Sequence, residues 1–140
     1  MIFISMQSSS RPSPDKVAMI MPGGTHLIAE LAECNPEALN NEEFLREKLR
    51  KAAQIAGATV LSVHSHKFTP AGVTAFALLT ESHISIHTWP ELGYAAVDAF
   101  TCGESMRTEL AIESVAHALD SKNTKVIAVR RGLSNHDGQQ

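Results

Sequence analysis

Val73-Thr74-Ala75-Phe76-Ala77-Leu78-Leu79-Thr80-Glu81-Ser82-His83-Ile84-Ser85-Ile86-His87-Thr88-Trp89 changes its hydrophobic pattern across one polar break. From Val73 to Leu79 the chain is almost continuously apolar, as in a strand held deep in a sheet. From Ser82 to Thr88 it alternates: Ile84 and Ile86 share one face of a strand, while His83, Ser85 and His87 share the other. One face is suited to a core and the other to chemistry. A tight connection around Glu81-Ser82 is expected to join the two strands, which fits a mainly antiparallel sheet.

Upstream, Thr69-Pro70-Ala71-Gly72 has the composition of a turn. Ala58 to Phe68 alternates again, with Val60, Ser62, His64, His66 and Phe68 opposing Thr59, Leu61, Val63 and Ser65, which predicts a hairpin. Before it, Asn40 or Asn41 can cap a helix, and Glu42 and Glu43 suit its first turn. Leu45, Leu49, Ala52, Ala53 and Ala56 then repeat along one face before Gly57, so this stripe is expected to lie on the sheet. His26 to Glu33 reads as a strand with Leu27, Ala29 and Leu31 on one side. Downstream, Trp89 to Gly93 reads as a loop, and Tyr94 to Thr101 as a strand ended by Cys102-Gly103. A second helix follows from Thr108 to Leu119, and Lys125 to Val129 supplies a last strand. This order predicts an α+β fold, a two-layer sandwich with a mainly antiparallel sheet and two helices on one face.

The 140 residues, 44% of them hydrophobic, suffice for one core without disulfides or metal to hold it together. A single domain is expected over residues 22–131, with a polar, flexible leader over 1–21 and a loose tail over 132–140. The net charge of −3 and the pI of 6.1 leave no basic footprint for nucleic acid. Cys34 and Cys102 form no Cys-x-x-Cys pair, which fits free thiols in a reducing compartment. The apolar runs from Met1 to Ile4 and from Val17 to Met21 are too short to span a bilayer, and neither has the layout of a secretion signal. A cytoplasmic protein with no membrane partner is expected.

Taken singly, the groups able to do chemistry say little. His83 and His87 on one strand lie about 13 Å apart, too far to share an ion, and no metal site is expected from them, His64, His66 or Cys102. Ser82 lies in no Gly-x-Ser-x-Gly elbow and suits a turn. Cys102 suits a reactive thiol or a small buried residue, and Phe68 and Trp89 suit a core or a flat ligand.

Together they form a specific pattern. Thr80-Glu81-Ser82-His83-Ile84-Ser85-Ile86-His87-Thr88-Trp89-Pro90-Glu91, followed by Gly93-Tyr94-Ala95-Ala96-Val97-Asp98-Ala99-Phe100-Thr101-Cys102-Gly103, resembles the prokaryotic, pyruvoyl-dependent S-adenosylmethionine decarboxylase proenzymes. The likeness extends to Gly24 to Leu31 with Cys34 and to His66 to Val73, and spans roughly residues 23–120.

The resemblance implies a chain that cuts itself between Glu81 and Ser82, into a β chain of residues 1–81 and an α chain of residues 82–140. The Ser82 hydroxyl would attack the preceding carbonyl to give an ester. Elimination and hydrolysis would then leave a pyruvoyl group at the new amino terminus and release ammonia. By the same resemblance His87 would assist proton abstraction, and the hydroxyl of Thr74 would support processing. The pyruvoyl cofactor would take the substrate's α-amine as a Schiff base and accept electrons as carbon dioxide leaves, with Cys102 as proton donor. Phe68 and Trp89 would sandwich the adenine and Glu91 would hold the ribose hydroxyls. The product, decarboxylated S-adenosylmethionine, would feed spermidine and polyamine biosynthesis. The working protein would be a homodimer with active sites near the subunit interface.

The chain departs from the family pattern at Gly72-Val73-Thr74-Ala75, where serine and glycine are usual in the last two places. Threonine keeps the hydroxyl but adds a methyl that restricts χ1, so slower processing than with serine is expected, and Ala75 is expected to tighten a nearby pocket. Two alternatives stay open: the same scaffold decarboxylating arginine or ornithine, and an unprocessed, non-catalytic binding module.

Overall fold

The computed structural model describes residues 23–102 and 105–133. Strands β1 (Gly23–Ala32), β2 (Val60–Lys67), β3 (Val73–Leu79), β4 (Ser82–Trp89), β5 (Tyr94–Thr101) and β6 (Asn123–Gly132) form one six-stranded sheet in the order β2-β3-β4-β5-β1-β6. Every pairing is antiparallel. Helices α1 (Pro36–Leu39), α2 (Glu42–Ile55) and α3 (Thr108–Ala118) complete it, with α2 against β2 and β3 and α3 against β1 and β5. The expected α+β two-layer arrangement is therefore present, with one helix more than the periodicity foretold. Four residues are too few to show a helical repeat. What makes α1 is local chemistry, since Asn35 Oδ1 accepts from the N–H groups of Glu37 and Ala38 and Pro36 starts the helix.

Asn41 is the N-cap of α2, accepting from Phe44 N–H at 3.0 Å, and the stripe of Leu45, Leu49, Ala52 and Ala53 is buried. Gly57, with φ +86, turns the chain away after the helix, as its position predicts. Ile84 and Ile86 of β4, Leu27, Ala29 and Leu31 of β1, and Ala95, Val97 and Ala99 of β5 supply the sheet's half of the core. No described helix is long and apolar enough to cross a membrane.

Several boundaries differ from expectation for physical reasons. β1 starts at Gly23 and ends at Ala32, because Glu33 adopts φ +54 and breaks the strand. β6 outruns Lys125 to Val129 at both ends, since its whole length pairs with β1 although every one of its residues is exposed. An edge strand without a buried face leaves no alternation to read, and Gly132 belongs to it rather than to a tail. In β2 the register slips between Val60 and Ser62, which puts Leu61 at 61% exposure instead of beside Val63. Trp89 closes β4, and Pro90–Leu92 forms a 3-10 turn rather than open loop. The leader over 1–21, Gly103 and the tail from Ser134 lie outside the described residues.

The start of β1 presses against the end of β5. A Cβ at Gly24 would meet the Thr101 carbonyl oxygen at 2.4 Å. Backbone cannot yield there cheaply, so Gly24→Ala should cost about 1–3 kcal/mol in urea unfolding. It should also slow any chemistry that uses the peptide between Thr101 and Cys102.

Candidate active site

The turn between β3 and β4 presents the Glu81–Ser82 bond. Thr59, just before β2, holds it: Thr80 N–H donates to Thr59 O at 3.0 Å, and Thr59 N–H donates to Glu81 Oε2 at 3.2 Å. The carbonyl oxygen of Glu81 accepts the backbone N–H of Cys102 at 3.1 Å. That donor sits where charge would build if a nucleophile added to this carbonyl, the geometry of a one-armed oxyanion hole. Ser82 itself has φ +152, a region that costs a residue with a side chain about 1–3 kcal/mol. Opening the bond on its amino side would release that strain. Ser82 pairs with Thr101, so Cys102, a partly exposed free thiol, stands beside the same bond. Cys34, the other free thiol, is buried, and burial pushes its thiol up against the opposing pull of its hydrogen bond with Ser121.

At the far end of β4 a second set of groups surrounds a cleft of about 450 Å³, lined by Phe68, Ala71, Gly72, Thr74, His87, Thr88, Trp89 and Glu91. Five of these, Phe68, Thr74, His87, Trp89 and Glu91, are residues singled out from the sequence. The hydroxyl of Thr74 and Nδ1 of His87 are hydrogen-bonded at 2.9 Å across the β3–β4 ladder. Phe68 rides on a turn closed by its N–H to Gly72 O at 2.8 Å, and Gly72 N–H donates to the Asn40 side chain at 3.0 Å. The Trp89 ring lies 5.3 Å from that of Tyr94, whose hydroxyl donates to Glu30. Phe68 and Trp89 are 47% and 39% exposed, too open for core residues and available to a flat ligand. Ala75, expected to crowd this pocket, is instead buried in the core on the opposite face of β3.

The two sets do not meet within one chain. Ser82 and His87 are five residues apart on one strand, about 16 Å along it, and no imidazole spans that gap. Within one chain, His87 therefore stands apart from its own Ser82. Ser82, Glu81 and Cys102 converge, and Phe68, Thr74, His87, Trp89 and Glu91 converge elsewhere.

A family model described as S-adenosylmethionine decarboxylase matches residues 25–132. The chain belongs to the S-adenosylmethionine decarboxylase family. The S-adenosylmethionine decarboxylase proenzyme of Prochlorococcus marinus (strain MIT 9211) is 50% identical over 108 residues, covering 77% of this chain and 88% of its own. That of Thermodesulfovibrio yellowstonii is 43% identical over 117 residues, covering 84% and 87%. Among solved structures, the adenosylmethionine decarboxylase of Aquifex aeolicus VF5 superposes with a TM-score of 0.75 at 36% identity, over 86% of this chain and 98% of that one.

Sequence reasoning missed two features of this S-adenosylmethionine decarboxylase fold. Thr88 is buried and ties three elements at the cleft: its hydroxyl accepts Val73 N–H at 2.9 Å and donates to Leu39 O at 2.7 Å. A polar residue in phase with Ile84 and Ile86 was the available signal. The second is a cluster of His26, His83 and Asp98 on the open face, which depends on strands far apart in sequence and has no local signature.

The Thr74–His87 bond makes a direct prediction. Thr74→Val keeps the shape and removes the hydroxyl, and should slow chain cleavage about tenfold, the worth of one hydrogen bond of roughly 1.4 kcal/mol. Thr74→Ser should cleave at least as fast as the natural chain. A gel time course of both variants measures it.

Proposed function

We propose that this chain is a self-processing S-adenosylmethionine decarboxylase whose active sites are each assembled from two copies. The observation that carries this is the placement of the nucleophile and of the His87 cleft at opposite ends of β4. In a two-fold dimer, if residue i of one copy meets residue j of the other, then j also meets i. Two antiparallel copies thus bring each Ser82 to its partner's cleft and make two equivalent sites. The open face of the sheet offers the contact, since Ile28, Leu78, Ile127 and Val129 are exposed there.

In processing, Ser82 Oγ adds to the Glu81 carbonyl carbon while the Cys102 N–H steadies its oxygen. The C–N bond then breaks, leaving Glu81 as an ester on the serine and a free amine on Ser82. His87, oriented by Thr74, takes the α-proton of Ser82, and Glu81 departs as a carboxylate. Water replaces the nitrogen, which leaves as ammonia. The fit of these residues to a self-made pyruvoyl group is the strained Ser82 and the polarised Glu81 carbonyl. That group supplies the electron sink for loss of carbon dioxide. The remaining work is the chain's own. Phe68 and Trp89 stack on the adenine and attract the sulfonium, Glu91 takes the ribose hydroxyls, and Cys102 Sγ returns a proton to the substrate carbon. The product would serve polyamine biosynthesis in the cytoplasm. No observation favours arginine, ornithine or a non-catalytic role.

Mass spectrometry of the purified protein, with carbon dioxide release assayed in parallel from S-adenosylmethionine, arginine and ornithine, tests the reading. Two fragments meeting at residues 81 and 82 and release from the first substrate alone are expected. An intact chain with an ordinary serine would overturn it.

A further inference from the structure

We propose that His26, His83 and Asp98 form a binding site for a divalent transition-metal ion on the open face of the sheet. β5 lies between β1 and β4, and both His26 and His83 stand opposite Phe100 in the register. Asp98 is one pleat along β5 on the same face. Two imidazoles therefore reach one carboxylate from either side: Nε2 of His26 is 2.6 Å and Nε2 of His83 is 2.9 Å from Asp98 Oδ2. All three donor atoms lie within 4.8 Å of one another.

Ligands bound to zinc at about 2.0–2.2 Å in a tetrahedron are roughly 3.3 Å apart, so a cation enters with shifts of under about 1 Å. Two imidazoles and one carboxylate suit zinc, cobalt or nickel, whereas magnesium and calcium prefer oxygen alone. The ligands are held before any ion arrives. Phe76 stacks on His83 with centroids 5.5 Å apart and planes at 20°, and Phe100 packs on His26 at 5.6 Å. Ser85 O–H donates to Asp98 Oδ1, the outer contact that orients a ligating carboxylate and leaves Oδ2 for the metal. Burial pushes the Asp98 carboxyl up, but hydrogen bonds from Ser85, His26 and His83, with the charge of His83, outweigh it and hold the group below its ordinary range. In the single chain His26, His83 and Asp98 are 19%, 27% and 26% exposed, and they lie among the residues of the contact proposed above, so in the dimer the ion would be held between the two sheets. The decarboxylation proposed above assigns no role to any of the three.

The full-length protein, stripped of metal and titrated calorimetrically, should bind one zinc per chain with roughly micromolar affinity. His26→Ala and Asp98→Asn should each weaken this at least tenfold. A His64→Ala/His66→Ala double variant should keep it. The cobalt-loaded protein should show visible bands of nitrogen and oxygen ligation and no thiolate charge-transfer band, which would point to Cys34 or Cys102. Independently of any variant, zinc should raise the melting temperature of the natural chain and magnesium should not. Absence of zinc binding by the natural chain, binding undiminished in Asp98→Asn, loss of binding in the double variant, or a thiolate band would each overturn the proposal.

Discussion

Ser82→Ala leaves one uncut chain of 140 residues, and carbon dioxide release from S-adenosylmethionine falls to background. The two losses share one cause. Without Oγ there is no nucleophile for the Glu81 carbonyl, and the N–H of Cys102, 3.1 Å from its oxygen, has no developing charge to stabilise. On the proposed mechanism an uncut chain makes no pyruvoyl group, and the substrate's carboxylate then has no electron sink. The effect exceeds that of any other single change at the site, because the other residues assist a reaction that Ser82 alone makes available. Folding should survive. Ser82 is only partly buried at the end of β4, and alanine meets the same backbone conformation with one atom fewer. Denaturant unfolding should therefore shift by under about 1 kcal/mol, within the range of surface substitutions. Mass spectrometry, unfolding and the release assay on one preparation separate the outcomes. A folded Ser82→Ala chain that still cleaves or still decarboxylates would refute the assignment of the nucleophile.

The parts of the fold that were legible are those whose residues carry their own pattern. β4 alternates because one face is buried, so Ile84 and Ile86 announce it, and α2 announces itself through Asn41 and a stripe that ends at Gly57. β6 was legible only in its middle, since an edge strand exposed throughout has no face to encode. The site was legible as a set of residues but not as a geometry. The resemblance groups Ser82, Cys102, Thr74, His87, Phe68, Trp89 and Glu91 without saying which copy of the chain supplies each. Strand arithmetic supports the two-copy site proposed above, because five residues of extended chain are about 16 Å. The cluster of His26, His83 and Asp98 was illegible for a different reason. It needs β1 beside β5, a pairing between segments some seventy residues apart that no local pattern reports.

His87→Ala should slow chain cleavage by about 10²- to 10⁴-fold, the usual worth of a positioned proton acceptor. Whether His87 acts on its own chain or on a partner is decided by mixing defects. Co-expressed Ser82→Ala and His87→Ala chains, associating at random, give half their dimers as mixed pairs. In each mixed pair one site joins Ser82 of the His87→Ala chain to His87 of the Ser82→Ala chain, and is whole. The other site lacks both. About a quarter of all sites should then mature, and every cleaved molecule should be a His87→Ala chain, distinguishable by mass. Each variant expressed alone should stay uncut over the same period. Should no His87→Ala chain mature in the mixture, although mixed dimers are seen by native mass spectrometry, the composite site is wrong. His87 would then have to reach Ser82 along its own strand, and Thr74, hydrogen-bonded to His87 at 2.9 Å, would have to move with it. That would mean breaking the β3–β4 ladder from Thr74–His87 to Leu79–Ser82, which ties both strands into the core. The trans arrangement leaves that ladder intact, so restored cleavage in mixed dimers is the expected result.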